Sequence, residues 1–275
     1  MLSASPSSLP AAYPEPVSVR PGTINAFSRD LELTEARNEQ ELKHGADLLW
    51  IDSLPAAQRA ARYVSLRLGE VQIQQLTTLD HAESIVCPGG MIHHWVGVIF
   101  IPGATLDQVL GVLEDYDHQS TYYAPDVVRS RIILRDGDHF RVFLRFRRHK
   151  VITVVLDTEH DIHYFRDSPD LAHSRSSAYR ISEVENAGEA DEREKAPGED
   201  DGFLWRMETW WRMEQRDGGI YVQSEVLSLS RDVPIGLGWL IGPFVTSIPR
   251  ETLAFTLEAT RNAVESVRRE KKQKS

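Results

Sequence analysis

Residues 203–230 read FLWRMETWWRMEQRDGGIYVQSEVLSLS. In an extended chain successive side chains point to opposite faces. Phe203, Trp205, Met207, Thr209, Trp211 and Met213 therefore share one side, and Leu204, Arg206, Glu208, Trp210, Arg212 and Glu214 the other. Asp217-Gly218-Gly219 supplies the positive-φ residues of a tight hairpin, through either Asp217-Gly218 or Gly218-Gly219. Both registers set Val222, Ser224, Val226 and Ser228 beside the tryptophan face. Large rings next to small side chains leave that face in need of a cover. The cover expected is a helix from about Pro249 to Glu270, because proline is tolerated in a first helical turn. Leu253, Leu257, Thr260, Val264 and Val267 form its apolar stripe.

Working outward, a meander precedes the hairpin. Strands are expected over Val127–Leu134, His139–His149, Val151–Tyr164 and His173–Val184, with turns at Arg135–Asp138 and Asp167–Asp170. Met91–Ile101 is apolar enough to require burial as a strand. Thr105 and Gln108 form a capping box that opens a helix with Leu106, Val109, Leu110 and Leu113 inward. Asp115–Pro125 reads as a short helix or turn that delivers Tyr122 and Tyr123 inward. Residues 1–30 hold five of the fourteen prolines and read as a disordered or surface arm. Residues 31–90 read as an extension of two helices and a strand, Val71–Leu76. Residues 91–275 form the main domain, with 185–201 an acidic insertion.

Composition sets outer bounds. A chain of 275 residues, 41% hydrophobic, can build one substantial core. A formal charge of −10 argues against a general nucleic-acid binder, which needs a basic surface to displace counterions. Eight acidic residues between Glu185 and Asp201, against Arg193 and Lys195, predict a mobile, dispensable loop. Arg268, Arg269, Lys271, Lys272 and Lys274 read as a solvated helix end. Cys87 is alone, so no intramolecular disulfide forms. The chain suits the cytoplasm, or an exported protein whose leader has been removed.

The order strand, helix, helical turn, meander, long helix resembles the START-like helix-grip superfamily (SRPBCC), which includes polyketide cyclase/dehydrase and lipid-transport proteins. The resemblance rests on Ile101-Pro102-Gly103-Ala104, Asp115-Tyr116-Asp117, Tyr123-Ala124-Pro125, Val128-Arg129-Ser130, Ser230-Arg231-Asp232-Val233-Pro234, Trp239, Pro243-Phe244 and Pro249. It spans about Met91 to Lys271. It implies an α+β fold: a curved antiparallel sheet of about six to seven strands wrapped on the C-terminal helix around an apolar cavity, here with an N-terminal helical extension. Such folds host carriers, cyclases and regulators alike, so no one chemistry follows.

Three functional classes stay open. The first is a binding or transport protein for a hydrophobic small molecule (lipid, isoprenoid or polyketide-like), with no cofactor. Trp205, Trp211, Met207, Tyr122, Tyr123, Val226 and Phe146 would then line the pocket, although plain core packing explains them as well. The second is a cyclase- or hydrolase-type enzyme using Tyr122, Tyr123, Arg145 or a histidine as acid–base groups. The third is an interaction module, with Leu31–Leu76 and Ile235–Phe244 as partner surfaces; Ile235–Phe244 is also the candidate for transient membrane contact. No metal site is expected, because the pairs His93/His94 and His160/His163 each point to opposite faces of a strand. Arg141, Arg145 and Arg147 share a face that could bind an anion or pair with Asp157 and Glu159 of the next strand.

Overall fold

The computed structural model describes residues 19–45, 47–150, 152–196, 198–232 and 238–274. Helix α1 (Pro21–His44) and α2 (Ala56–Arg67) come first, then β1 (Gln72–Gln75) and a two-strand ribbon of β2 (Leu79–Asp80) and β3 (Glu83–Ser84). The body comprises β4 (Gly90–Pro102), α3 (Leu106–Leu113), α4 (Gln119–Tyr122), β5 (Val127–Asp136), β6 (His139–His149), β7 (Thr153–Ser168) and β8 (Leu171–Glu185). After the short β9 (Arg193–Glu194) come β10 (Arg206–Arg216), β11 (Gly219–Arg231) and α5 (Gly238–Lys274). The antiparallel sheet runs β1-β4-β11-β10-β8-β7-β6-β5, and β9 pairs with β8. The seven long strands and β1 are those the sequence predicts; β9 raises the sheet to nine.

The hairpin turns on Asp217-Gly218, at φ 57° and 75°, with Arg216 opposite Gly219. Met207 then faces Ser228, Thr209 faces Val226, and Trp211 faces Ser224. The Thr105/Gln108 capping box forms: Thr105 Oγ1 accepts from the Gln108 amide at 3.4 Å, and Gln108 Oε1 accepts from the Thr105 amide at 3.2 Å.

Helix α5 is longer than expected. It begins at Gly238 and runs through Pro249, losing a backbone hydrogen bond there instead of starting at it. Leu253, Leu257, Thr260 and Val264 are buried as its stripe predicts. A Cβ placed on Gly97 of β4 would lie 2.6 Å from Leu257 Cδ1 and 3.3 Å from Leu253, so glycine permits this close approach. The neighbouring Thr252 takes a hydrogen bond from Arg148 at the end of β6 (3.1 Å). In a flat sheet β6 would lie five strand steps, about 24 Å, from β4. Contact of consecutive helix residues with both strands therefore requires the sheet to curl around α5.

The outer face of the same strands is covered by α1. Its buried residues are Thr23, Phe27, Asp30, Thr34 and Asn38, an almost wholly polar stripe. They meet charged side chains on the sheet. His94 Nε2 lies 2.6 Å from Glu225 Oε1, Arg37 also pairs with Glu225, and Arg212 pairs with Glu41 at 2.7 Å and with Asn38. Arg212 donates as well to the Leu48 carbonyl at 2.7 Å. Residues 21–30, expected in an arm, are thus helix bonded to the sheet; residues 1–18 lie outside the described residues.

Ion pairs join the described part of the acidic segment to the sheet. Glu192 pairs with Arg145 (2.7 Å), Glu194 with Arg180, and Lys195 bridges Glu183 (3.2 Å) and Asp201. Basic groups on the outer sheet face offset the like charge that predicted mobility.

Two outcomes test the ionic layer. Arg212→Ala would leave the buried Asn38 Oδ1 and the Leu48 carbonyl without their donor and Glu41 with Arg37 alone, and should cost about 3–5 kcal/mol in a denaturant melt. Glu225 is held below the usual glutamate range, because His94 and Arg37 outweigh the burial that alone would raise it. A carboxylate with a depressed folded pKa contributes stability above its unfolded value, near 4.5, and loses it as pH falls through the folded one. Stability should therefore drop below about pH 4.5 in the wild type, and less steeply in Glu225→Gln.

Candidate functional site

The inner face of the curl is read best in rows that cross the sheet. Ile99 of β4, Val222, Met213 and Ala172 form one row, all buried. The next is Gly97, Ser224, Trp211, Ser174 and Tyr164. The third is Trp95, Val226, Thr209, Ser176 and Ile162. Beyond it lie His93, Ser228 and Met207. The first row is a sealed, apolar floor. In the second and third rows the large side chains Trp211, Trp95 and Val226 are only partly buried, although they pack against the main core cluster. Trp211 sits between two serines, Ser224 and Ser174, so neither neighbouring strand fills the space beside its ring. Phe146, Tyr122 and Phe255 are likewise partly buried against the cluster, and Tyr123 is within it.

The expected pocket residues thus divide. Trp211, Tyr122, Tyr123, Val226 and Phe146 belong to or pack against the main core cluster, and Met207 joins the inner face by register. Trp205 does not. The chain bends at Trp205, β10 starts one residue later, and the indole packs with Phe27, Trp210, Leu227 and Leu229 on the α1 side. Alternation holds only while the backbone is extended. Trp205 Nε1 instead donates to Asp200 at 2.7 Å.

Polar groups, some of them already named in the sequence reading, sit among these rings. His160 is buried on β7, its Nε2 2.9 Å from Thr158 Oγ1 and its Nδ1 3.3 Å from Ser176 Oγ. His93 Nε2 lies 2.8 Å from Ser230 Oγ. Tyr123 and Thr260 share a hydrogen bond of 3.0 Å, and Tyr116 and Tyr164 one of 2.7 Å. Trp95 Nε1 and Ser174 Oγ are buried without a protein partner. The pairing of Val142 with His160 across the β6–β7 hairpin is the signal that would have placed His160 beside the Phe140/Val142 face.

These groups are neutral near pH 7. Burial depresses both His93 and His160 to about 4. Burial raises Tyr123 to about 12 against the opposing effect of Thr260; burial and then Asp115, which accepts the Tyr122 hydroxyl at 2.7 Å, raise Tyr122 to about 12. Arg145 lies on the outer face, held by both oxygens of Asp157 at 2.7 and 2.8 Å. Cross-strand pairing, anticipated with Asp157 and Glu159, is met by Asp157 and, for Arg141, by Asp161 at 3.0 Å.

The buried histidines make a pH test. A histidine near 6.5 in the unfolded chain and near 4 in the fold takes up its proton only on unfolding between those values. Stability should fall as pH drops from about 6.5 to 4, by on the order of 2–3 kcal/mol for each histidine. His160→Gln, which keeps a polar side chain, should remove about half of that slope in melts recorded across the interval.

No family model matches the chain, and no curated protein matches it. Solved structures do. A STAR-related lipid transfer protein from Xanthomonas axonopodis is 17% identical, over 70% of this chain and 98% of that one, with a TM-score of 0.42. The Zhui aromatase/cyclase from a Streptomyces species is 13% identical, over 64% and 94%, at 0.39. Human STARD10 is 10% identical, over 80% and 84%, at 0.45. By its own element order, curled antiparallel sheet and gripped C-terminal helix, the chain has a START-like helix-grip fold.

Proposed function

We propose that the chain binds or carries a hydrophobic small molecule (a lipid, isoprenoid or polyketide-like compound) between the inner face of the sheet and α5. One observation carries the reading: Trp95 Nε1 and Ser174 Oγ, buried and without protein partners, lie in the two rows where large rings are incompletely packed. An unmatched buried polar group costs about 1–3 kcal/mol, and a ligand with a hydrogen-bonding oxygen would recover it. Ligand sites are mostly apolar with a few placed polar groups, which describes this face.

The enzyme alternative finds less support. Arg145 is on the opposite face, and Tyr122 and Tyr123 are already bonded to Asp115 and Thr260. As to an interaction module, α1 covers this chain's own sheet, and Ile235 to Leu237 lie outside the described residues. Among the described residues no helix is long and apolar enough to cross a membrane.

Native mass spectrometry of freshly purified protein should show a co-purified apolar ligand, and an environment-sensitive fatty-acid probe should bind saturably. Trp211→Ala should weaken probe uptake at least several-fold while the protein stays folded. An ordinary core tryptophan would instead cost about 3–5 kcal/mol. Strong destabilisation, together with no saturable probe binding by the wild type, would sink the carrier reading.

A further inference from the structure

On the outer face of the sheet, level with the inner-face rows but pointing away from them, β6 and β7 bring together three groups of a different kind. His139 and His163 are directly opposite one another in the β6–β7 pairing, and Asp161 is two residues from His163 on the same face. Cross-strand neighbours stand about 4.5–5.5 Å apart at Cβ, so the register alone gathers all three. The two imidazoles are stacked, with centroids 4.2 Å apart and planes 3° from parallel. Both Nε2 atoms address a single oxygen, Asp161 Oδ1, at 3.1 Å from His139 and 3.0 Å from His163. All three candidate ligand atoms lie within 4.8 Å of one another.

The other carboxylate oxygen is taken. Arg141 Nε donates to Asp161 Oδ2 at 3.0 Å, which fixes the carboxylate plane and leaves Oδ1 toward the histidines. A supported ligand of this kind keeps its orientation when a metal arrives. The His163 side chain is half exposed, so the site is open to solvent on one side.

We propose that His139, Asp161 and His163 form a binding site for a divalent transition-metal ion of the zinc type, which clips β6 to β7 and keeps an open coordination position. Two imidazoles and one carboxylate select such an ion over magnesium or calcium, which prefer all-oxygen shells. At metal–ligand distances of about 2.0–2.2 Å, tetrahedral ligands stand about 3.4 Å apart. The Asp161–histidine separations need grow by only a few tenths of an ångström to meet that, and one imidazole must turn out of the stack, because a bound metal lies in the plane of each ring and two parallel planes do not meet. Each ring must present Nε2 as an acceptor, which the neutral imidazole does when its proton resides on Nδ1. The site is independent of any ligand held on the inner face.

Tag-free protein stripped with a chelator would be titrated with Zn²⁺ by calorimetry and with Co²⁺ by visible absorption. The expected result is one saturable equivalent, a Co²⁺ band of low-coordinate type, and no heat with Mg²⁺. His139→Ala and His163→Ala should each weaken binding by at least about tenfold, since losing even an outer-shell partner costs 10–100-fold. His173→Ala, whose ring pairs with Asp167 at 2.7 Å outside the cluster, should bind as the wild type does. Added Zn²⁺ should raise the melting temperature of the wild type and of His173→Ala but not of the other two variants. Melts in chelator confirm that all variants fold. Absence of saturable binding by the wild type, or binding unchanged in both His139→Ala and His163→Ala, would overturn the proposal.

Discussion

Strands β4, β11 and β10 are covered on both faces, and that double burial is the constraint on which the rest of the molecule depends. A strand buried on both sides needs a partner for every side chain, because an unmatched polar group in the interior is costly and an unmatched charge more so. The two faces meet this demand by different chemistry. Toward α5 the contact is apolar and close, with Gly97 admitting Leu253 and Leu257. Toward α1 it is mixed: Phe27 packs with Trp210, Leu227 and Leu229, while Glu225, His94 and Arg212 are matched by Arg37, Asp30, Asn38 and Glu41. Charge pairs under a helix add little net stability over an apolar contact of the same shape. They do discriminate between registers, since a shift of α1 by one turn would strand several charges at once.

Fixing the outer side has a consequence inside. With β4, β11 and β10 held by α1, the curl around α5 is set by the sheet and not by how well the inner rings fill the space. Ile99, Val222 and Met213 close the floor completely, whereas Trp211 between Ser174 and Ser224 does not close the row above it. A core selected only for packing would place a larger residue beside that ring.

The helix-grip order was legible because it rests on local signals that tertiary contacts do not overrule: strict alternation in β6 and β10, the Asp217-Gly218 turn, and the Thr105/Gln108 box. What escaped the sequence has causes that can be named as specifically. The stripe Thr23–Phe27–Asp30–Thr34–Asn38 carries one apolar residue, so hydrophobic periodicity cannot reveal it; its burial follows from charges on strands far away in sequence. Trp205 was misplaced because alternation says nothing about where a strand starts. Pro249 looked like a helix start because the rule for first turns does not exclude a tolerated interior proline. The histidine pairings needed register: His160 and His163 do point to opposite faces, but it is His139, reached only through the hairpin, that stands beside His163.

The polar groups of the inner face share one property that narrows what the proposed ligand can be. His93 and His160 are neutral well below pH 7, and Tyr122 and Tyr123 stay protonated well above it. Two cations, Arg148 and Lys150, stand where β6 meets α5 and are engaged with Asp126 and with Glu251. A ligand carboxylate or phosphate drawn fully onto the rows would leave water for a surface that holds hydrogen-bond donors but no counter-charge, and desolvating an unpaired anion outweighs one or two neutral hydrogen bonds. The buried part of the proposed ligand would therefore be uncharged, with a carbonyl or hydroxyl oxygen to meet Trp95 Nε1 or Ser174 Oγ. Any charged group it carries belongs at the rim, beside Arg148 and Lys150.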